Sequence, residues 1–86
     1  MNKILNYINE NYKNQLNQYT FIKSKELWKL KIGLDIKYIN KNDLKLYYGG
    51  KINKIEKNWN FIKVYNVDEK KYKIIYPENM YIFYKK

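Results

Sequence analysis

Apolar residues occupy every second position from Trp28 to Tyr38. Trp28, Leu30, Ile32, Leu34, Ile36 and Tyr38 alternate with Lys29, Lys31, Gly33, Asp35 and Lys37. Side chains alternate between the two faces of a strand, so this spacing predicts one long strand with an apolar face on a core and a charged face in water. Residues 1–19 carry a different rhythm. Ile4, Ile8, Tyr12 and Leu16 recur every fourth position, with Leu5 and Tyr19 beside them, and this predicts an amphipathic helix. Asn is a poor helix former, so the helix is expected to form by docking its stripe on its own sheet or on a neighbouring subunit.

Thr20 to Leu27 reads as a connector, with Ser24 as the cap of a single helical turn. Asn40-Lys41-Asn42-Asp43 is a turn cluster. A second strand is predicted from Leu44 through Leu46 and Tyr48, with Gly49-Gly50 as a bulge or bend before Ile52 and Ile55. Glu56–Asn60 is a hairpin connection. Phe61–Tyr65 and Tyr72–Tyr76 are the third and fourth strands, separated by a turn over Asn66–Lys71. Pro77, which cannot donate to a ladder, opens a tight or 3₁₀ turn with Glu78 and Asn79, and Met80–Tyr84 is a final strand.

The portion from about Leu30 to Tyr84 resembles an SH3-like or Tudor-like small barrel. The residues that carry the resemblance are Gly33–Tyr38, Tyr48-Gly49-Gly50-Lys51-Ile52, Phe61–Tyr65 and the Pro77-Glu78-Asn79 turn into Met80–Phe83. The expected fold is mainly β (α+β): a five-stranded antiparallel SH3-like barrel preceded by an N-terminal helix. Its parts are the helix at 1–19, the connector at 20–27 and the barrel at 28–86. The Tudor resemblance implies an aromatic cage for a methylated Lys or Arg, with Tyr38, Tyr47 or Tyr48, Phe61 and Tyr65 as walls. The run IKYIN…YYGGKINKI…NMYIFYKK is also similar to short uncharacterised proteins of AT-rich giant DNA viruses, which implies a viral protein.

Charge adds a candidate partner. The net charge is +10, and all 18 basic residues are Lys. Such an excess points to nucleic acid or another anionic surface. It is also the mark of an AT-rich coding sequence, because Lys, Asn, Ile and Tyr dominate the chain while Arg, His and Ala are absent. Catalysis is not expected. There is no His for proton transfer, no Cys nucleophile, no Arg to clamp a phosphate, and the one adjacent carboxylate pair, Asp68-Glu69, lies in a Lys-flanked turn. No cofactor and no metal site are expected, since neither a phosphate loop nor zinc-ligand spacing is present.

The candidate binding residues are Lys45, Tyr47, Lys51, Lys57, Trp59, Phe61, Lys63 and Tyr65. Lys offers point-charge contacts to phosphate, and aromatic faces stack on unpaired bases. Without Arg, bidentate reading of guanine is missing, so little sequence specificity is expected. Trp59 stands out at a hairpin tip between two Asn, where it either folds back over the sheet edge or anchors a partner. The expected partner is nucleic acid, single-stranded strands included, or another protein. The N-terminal helix and the strand edges are the routes to an oligomer. The second functional reading is a protein-interaction or structural subunit of a larger assembly such as a virion. No apolar run approaches the roughly 20 residues of a membrane span, and no signal-peptide core is visible, so the expectation is a soluble intracellular protein without a membrane partner. If the protein is viral, host cytoplasm or virion is its place.

Overall fold

The strongest alternation in the chain does not make a single strand. In the computed structural model, which describes residues 2–86, Ser24–Lys29 is a 3₁₀ helix and strand begins only at Asp35. Glu26 drives the difference. Its carboxylate accepts the Lys23 backbone N–H at 3.3 Å and pairs with Lys29 at 3.0 Å, which closes a turn over the first part of the stretch. Ser24 is not the cap; Lys23 occupies that position in extended conformation. Gly33, at φ +97°, then turns the chain into the sheet. The residues that meet the core are therefore Leu27, Leu30 and Leu34, at spacings of three and four. Trp28 and Ile32, expected on the apolar face, stand 66% and 70% exposed.

Six antiparallel strands form one sheet. They are β1 (Thr20–Ile22), β2 (Asp35–Asn40), β3 (Leu46–Ile55), β4 (Ile62–Asn66), β5 (Lys71–Ile75) and β6 (Met80–Lys85). Their order is β1-β6-β2-β3-β4-β5, with no pairing of β5 to β1. The sheet is thus six-stranded and open, where a closed five-stranded barrel was expected. The added strand lies in the stretch read as a connector, and Phe21 and Ile22 pair with Phe83 and Ile82. Three residues are too few for a periodic signal, so only the partner strand reveals it. Strand β3 starts at Leu46, because Leu44 takes φ +56° in the preceding turn. Pro77–Asn79 is a 3₁₀ helix that leads into β6, in agreement with the reading of that turn.

The sheet buries residues on both faces. The inner face gathers Ile22, Leu30, Ile36, Ile52, Ile62, Val64, Ile75 and Ile82 into one core, to which every strand contributes. On the outer face, Ile39 of β2 and Phe83 of β6 meet Ile8 of helix α1 (Asn2–Tyr12). Ile4, Tyr12 and Leu16 flank that contact, so the four-residue stripe docks on the chain's own sheet. The helix is shorter than expected, ending at Tyr12, and residues 13–18 continue as turns that keep Leu16 and Tyr19 against the sheet. The expected helix also included Met1, which lies outside the described residues. No described helix is long and apolar enough to cross a membrane.

Candidate nucleic-acid interface

Helix α1 covers the outer face over β1, β6, β2 and the start of β3, and leaves it bare over β4, β5 and the rest of β3. Two rows of side chains cross that bare part. Lys51 pairs with Tyr65, and Tyr65 with Tyr72. Lys54 pairs with Lys63, and Lys63 with Ile74. Ile62, Val64 and Ile75 alternate with these residues and are buried inside. The rows therefore present Lys51, Lys54, Lys63, Tyr65, Tyr72 and Ile74 to solvent, with Tyr72 54% and Ile74 42% exposed. The Tyr65 and Tyr72 rings meet edge to face, with centroids 5.0 Å apart. Lys63 Nζ stands 4.5 Å from the centre of the Tyr72 ring.

Two local devices place the rows in register. Gly49-Gly50 is a bulge, as expected from the sequence: Ile36 pairs with Gly50 but Lys37 with Tyr48. Gly50 has φ +118°, and a Cβ there would collide with the Tyr65 carbonyl. That close approach of β3 to β4 sets Lys51 opposite Tyr65. Asn66 is the second device. It is buried, its Nδ2 donates to the Tyr48 carbonyl at 3.0 Å, and its Oδ1 accepts the Glu69 N–H at 3.0 Å. The β4–β5 turn is thereby tied to the bulge. Beyond the turn, Glu69 pairs with Lys73 at 2.8 Å and Lys71 at 3.2 Å, and these ammonium groups, Lys73 first, hold its carboxyl below the usual range. Lys71 and Lys73 therefore share one carboxylate, whereas no ion pair is found for Lys51, Lys54 or Lys63 among the described residues.

Lys54 directly opposite Lys63 is an unfavourable arrangement, since like charges facing across a ladder repel. An anion bound over the pair relieves that repulsion. The residues suited to bind it are flat phenol faces for stacking and free ammonium groups for phosphate.

Of the eight residues expected at the site, Lys51, Lys63 and Tyr65 share this face. Lys45 and Tyr47 lie at the β2–β3 hairpin, where Asp43 accepts the Tyr47 hydroxyl at 2.7 Å and the Lys45 N–H at 2.9 Å. The Tyr47 hydroxyl, before Lys45, holds the Asp43 carboxyl below its usual range. Lys57 and Trp59 belong to the 3₁₀ turn Lys57–Trp59, and Phe61 precedes β4, half-buried. Trp59 folds back: its indole packs against the inner core rather than standing in solvent. The aromatic cage does not assemble. Tyr38 and Tyr47 stack on each other at 5.4 Å, while Tyr48 turns to the other face and donates to Asp35 at 2.9 Å. Lys54 and Tyr72, which belong to the lysines and aromatics of the sheet but not to the eight candidates, complete the rows together with Ile74. Period-two alternation along Tyr72–Ile74 is the signal that marks two of them, while Lys54 follows a register shift in β3 and joins them only through pairing across strands.

Asp35 organises the neighbouring surface, accepting both the Tyr48 hydroxyl and the Tyr19 hydroxyl, the latter at 2.8 Å. Burial, reinforced by the Asp35 carboxylate, pushes Tyr48 up to about 12 and raises Tyr19 further. This polar junction joins the segment after α1 to β2 and β3. No protein-family model matches the chain, and no curated protein or solved structure matches it at a significant level.

Proposed function

We propose that this protein is a non-catalytic binding module that holds nucleic acid, without sequence specificity, on the outer face of β3, β4 and β5. The observation that carries the reading is the pair of cross-strand rows, Lys51–Tyr65–Tyr72 and Lys54–Lys63–Ile74, on the half of the sheet that helix α1 leaves bare. Unpaired strands are favoured over duplex, since Tyr65 and Tyr72 offer stacking faces on a surface without a helix or ribbon shaped for a groove. The SH3-like reading is supported by the run β6-β2-β3-β4-β5 and by the 3₁₀ turn before the last strand.

The test is an anisotropy titration of a labelled oligo(dT) and of a duplex at two salt concentrations. Three unpaired lysines predict a log–log salt slope of about −2 on single strands, so affinity falls roughly 20-fold for a fourfold rise in salt. Lys63→Ala should flatten the slope by about 0.7. Tyr72→Ala should weaken binding by about 1–3 kcal/mol at unchanged slope. Negligible binding at low salt, or a slope indifferent to Lys63, would refute the proposal. The structural-subunit reading is favoured by a different observation, the exposure of Trp28 and Ile32.

A further inference from the structure

The 3₁₀ helix Ser24–Lys29 joins two unlike surfaces. Leu27 lines a cleft of about 320 Å³ at the open seam of the sheet, with Ile22, Met80 and Ile82 as apolar floor and Trp59 as wall. The next residue, Trp28, belongs to a protruding tip. Trp28 and Ile32 are the two most exposed large apolar residues of the described chain, at 66% and 70%. The adjacent Gly33 is anchored to the sheet, its N–H donating to the Ile52 carbonyl at 2.9 Å, so the exposed pair is held in a fixed place beside β3. Lys25, Lys29 and Lys31 flank the tip, and of these only Lys29 has an ion-pair partner among the described residues.

Charge separates the two surfaces. In a chain of net charge +10, the cleft lining contains no lysine, and its one charged residue is Glu78. The cleft wall is also strained. Asn58 and Trp59 both sit in the left-handed region, at φ +68° and +62°. That is an uncommon conformation for a bulky side chain, and such strain concentrates where a surface is held ready for contact.

We infer that the tip and the cleft form one self-complementary interface between two copies of this chain. Trp28 and Ile32 of each copy enter the cleft of the other, and Lys25 and Lys31 face the other copy's Glu78. Because Leu27 and Trp28 are consecutive, a single two-fold contact engages tip and cleft on both copies at once, and the assembly closes as a dimer. A buried Trp contributes roughly 150–250 Å², so Trp28 at its exposure offers about 150 Å². Two tips and two clefts together stay below the roughly 1,200 Å² of stable specific interfaces, in the range of weak contacts, so the dimer forms reversibly with concentration. The inference is independent of the lysine rows, which lie on a different surface.

Sedimentation equilibrium between about 1 and 500 μM tests it. The expected mass rises from the 10.7 kDa monomer toward twice that value and stops there. Trp28→Ser and Ile32→Ser, both at exposed positions, should each hold the protein monomeric while circular dichroism melts stay unchanged. Glu78→Lys should weaken the dimer at least about tenfold, and adding Lys31→Glu to that variant should restore it. A monomer across the whole range, growth beyond the dimer, or a Trp28→Ser variant that dimerises like the parent would each overturn the proposal.

Discussion

Replacing Gly50 by Ala tests the backbone geometry on which the lysine–tyrosine rows depend. Two separate costs arise. An L side chain at φ +118° is held in a sparsely populated region, which costs about 1–3 kcal/mol. The new methyl must also push β4 away, since it meets the carbonyl of Tyr65 and lies 2.9 Å from the Asn66 Cα, and overpacking of this kind costs a further ~1–3 kcal/mol. Gly33→Ala separates the two costs. Its φ is +97°, but a Cβ there has open space, so only the conformational cost applies. A chain of this length has about 4–13 kcal/mol of stability in all, and each kcal/mol moves the melting point by about 4–8 °C. Thermal melts followed by circular dichroism should therefore show Gly33→Ala lowered by about 4–24 °C and Gly50→Ala by roughly twice as much as Gly33→Ala. If any folded Gly50→Ala remains, its Lys51–Tyr65 register should be disturbed and its affinity for oligo(dT) reduced, whereas Gly33→Ala should bind as the parent does. Equal melting points for the two variants would refute the close approach of β3 to β4.

Three further outcomes follow from the packing. Ile8→Ala removes the centre of the outer core and should cost about 2–5 kcal/mol, with loss of helical dichroism, because an 11-residue helix has little stability without its docking surface. Asn66→Ala leaves the Tyr48 carbonyl and the Glu69 N–H without their partner and should cost about 1–3 kcal/mol in urea unfolding. For Tyr48 the pH dependence has a definite sign. Its folded pKa lies above the ordinary 10.0, so its contribution to stability is complete below that value and is lost as pH rises through about 12. Ultraviolet titration should show Tyr19 and Tyr48 ionising late. Asp35→Asn should bring Tyr48 part of the way down, leaving it above its ordinary value because burial is the larger cause. No change in the titration of either tyrosine would contradict the Asp35 junction.

The sequence by itself determined the local elements whose cause lies within a few residues. The stripe Ile4–Ile8–Tyr12–Leu16 specifies a docking helix, Gly49-Gly50 a bulge, Pro77 a stop and a 3₁₀ turn, and alternation at Ile62–Val64 an inward face. Composition narrowed the expected chemistry, because the chain has no His, Cys or Arg. Tertiary structure decided what depends on partners distant in sequence. The alternation from Trp28 to Tyr38 fits a strand as a pattern, but a strand needs a neighbour to bond, and Glu26 offers the backbone a local turn before any neighbour is met. The same eleven residues also contain Leu27's successors Leu30 and Leu34 at helical spacing, and those are the positions that the core takes. Strand β1 is legible only beside β6. The candidate site divides for the same reason. Lys51, Lys63 and Tyr65 could be chosen from residue type and strand parity, whereas Lys54, Tyr72 and Ile74 join them through ladder pairing. Lys45, Tyr47, Lys57 and Trp59 have suitable chemistry but lie elsewhere, because the position of a side chain on a folded sheet is set by register across strands and not by distance along the chain.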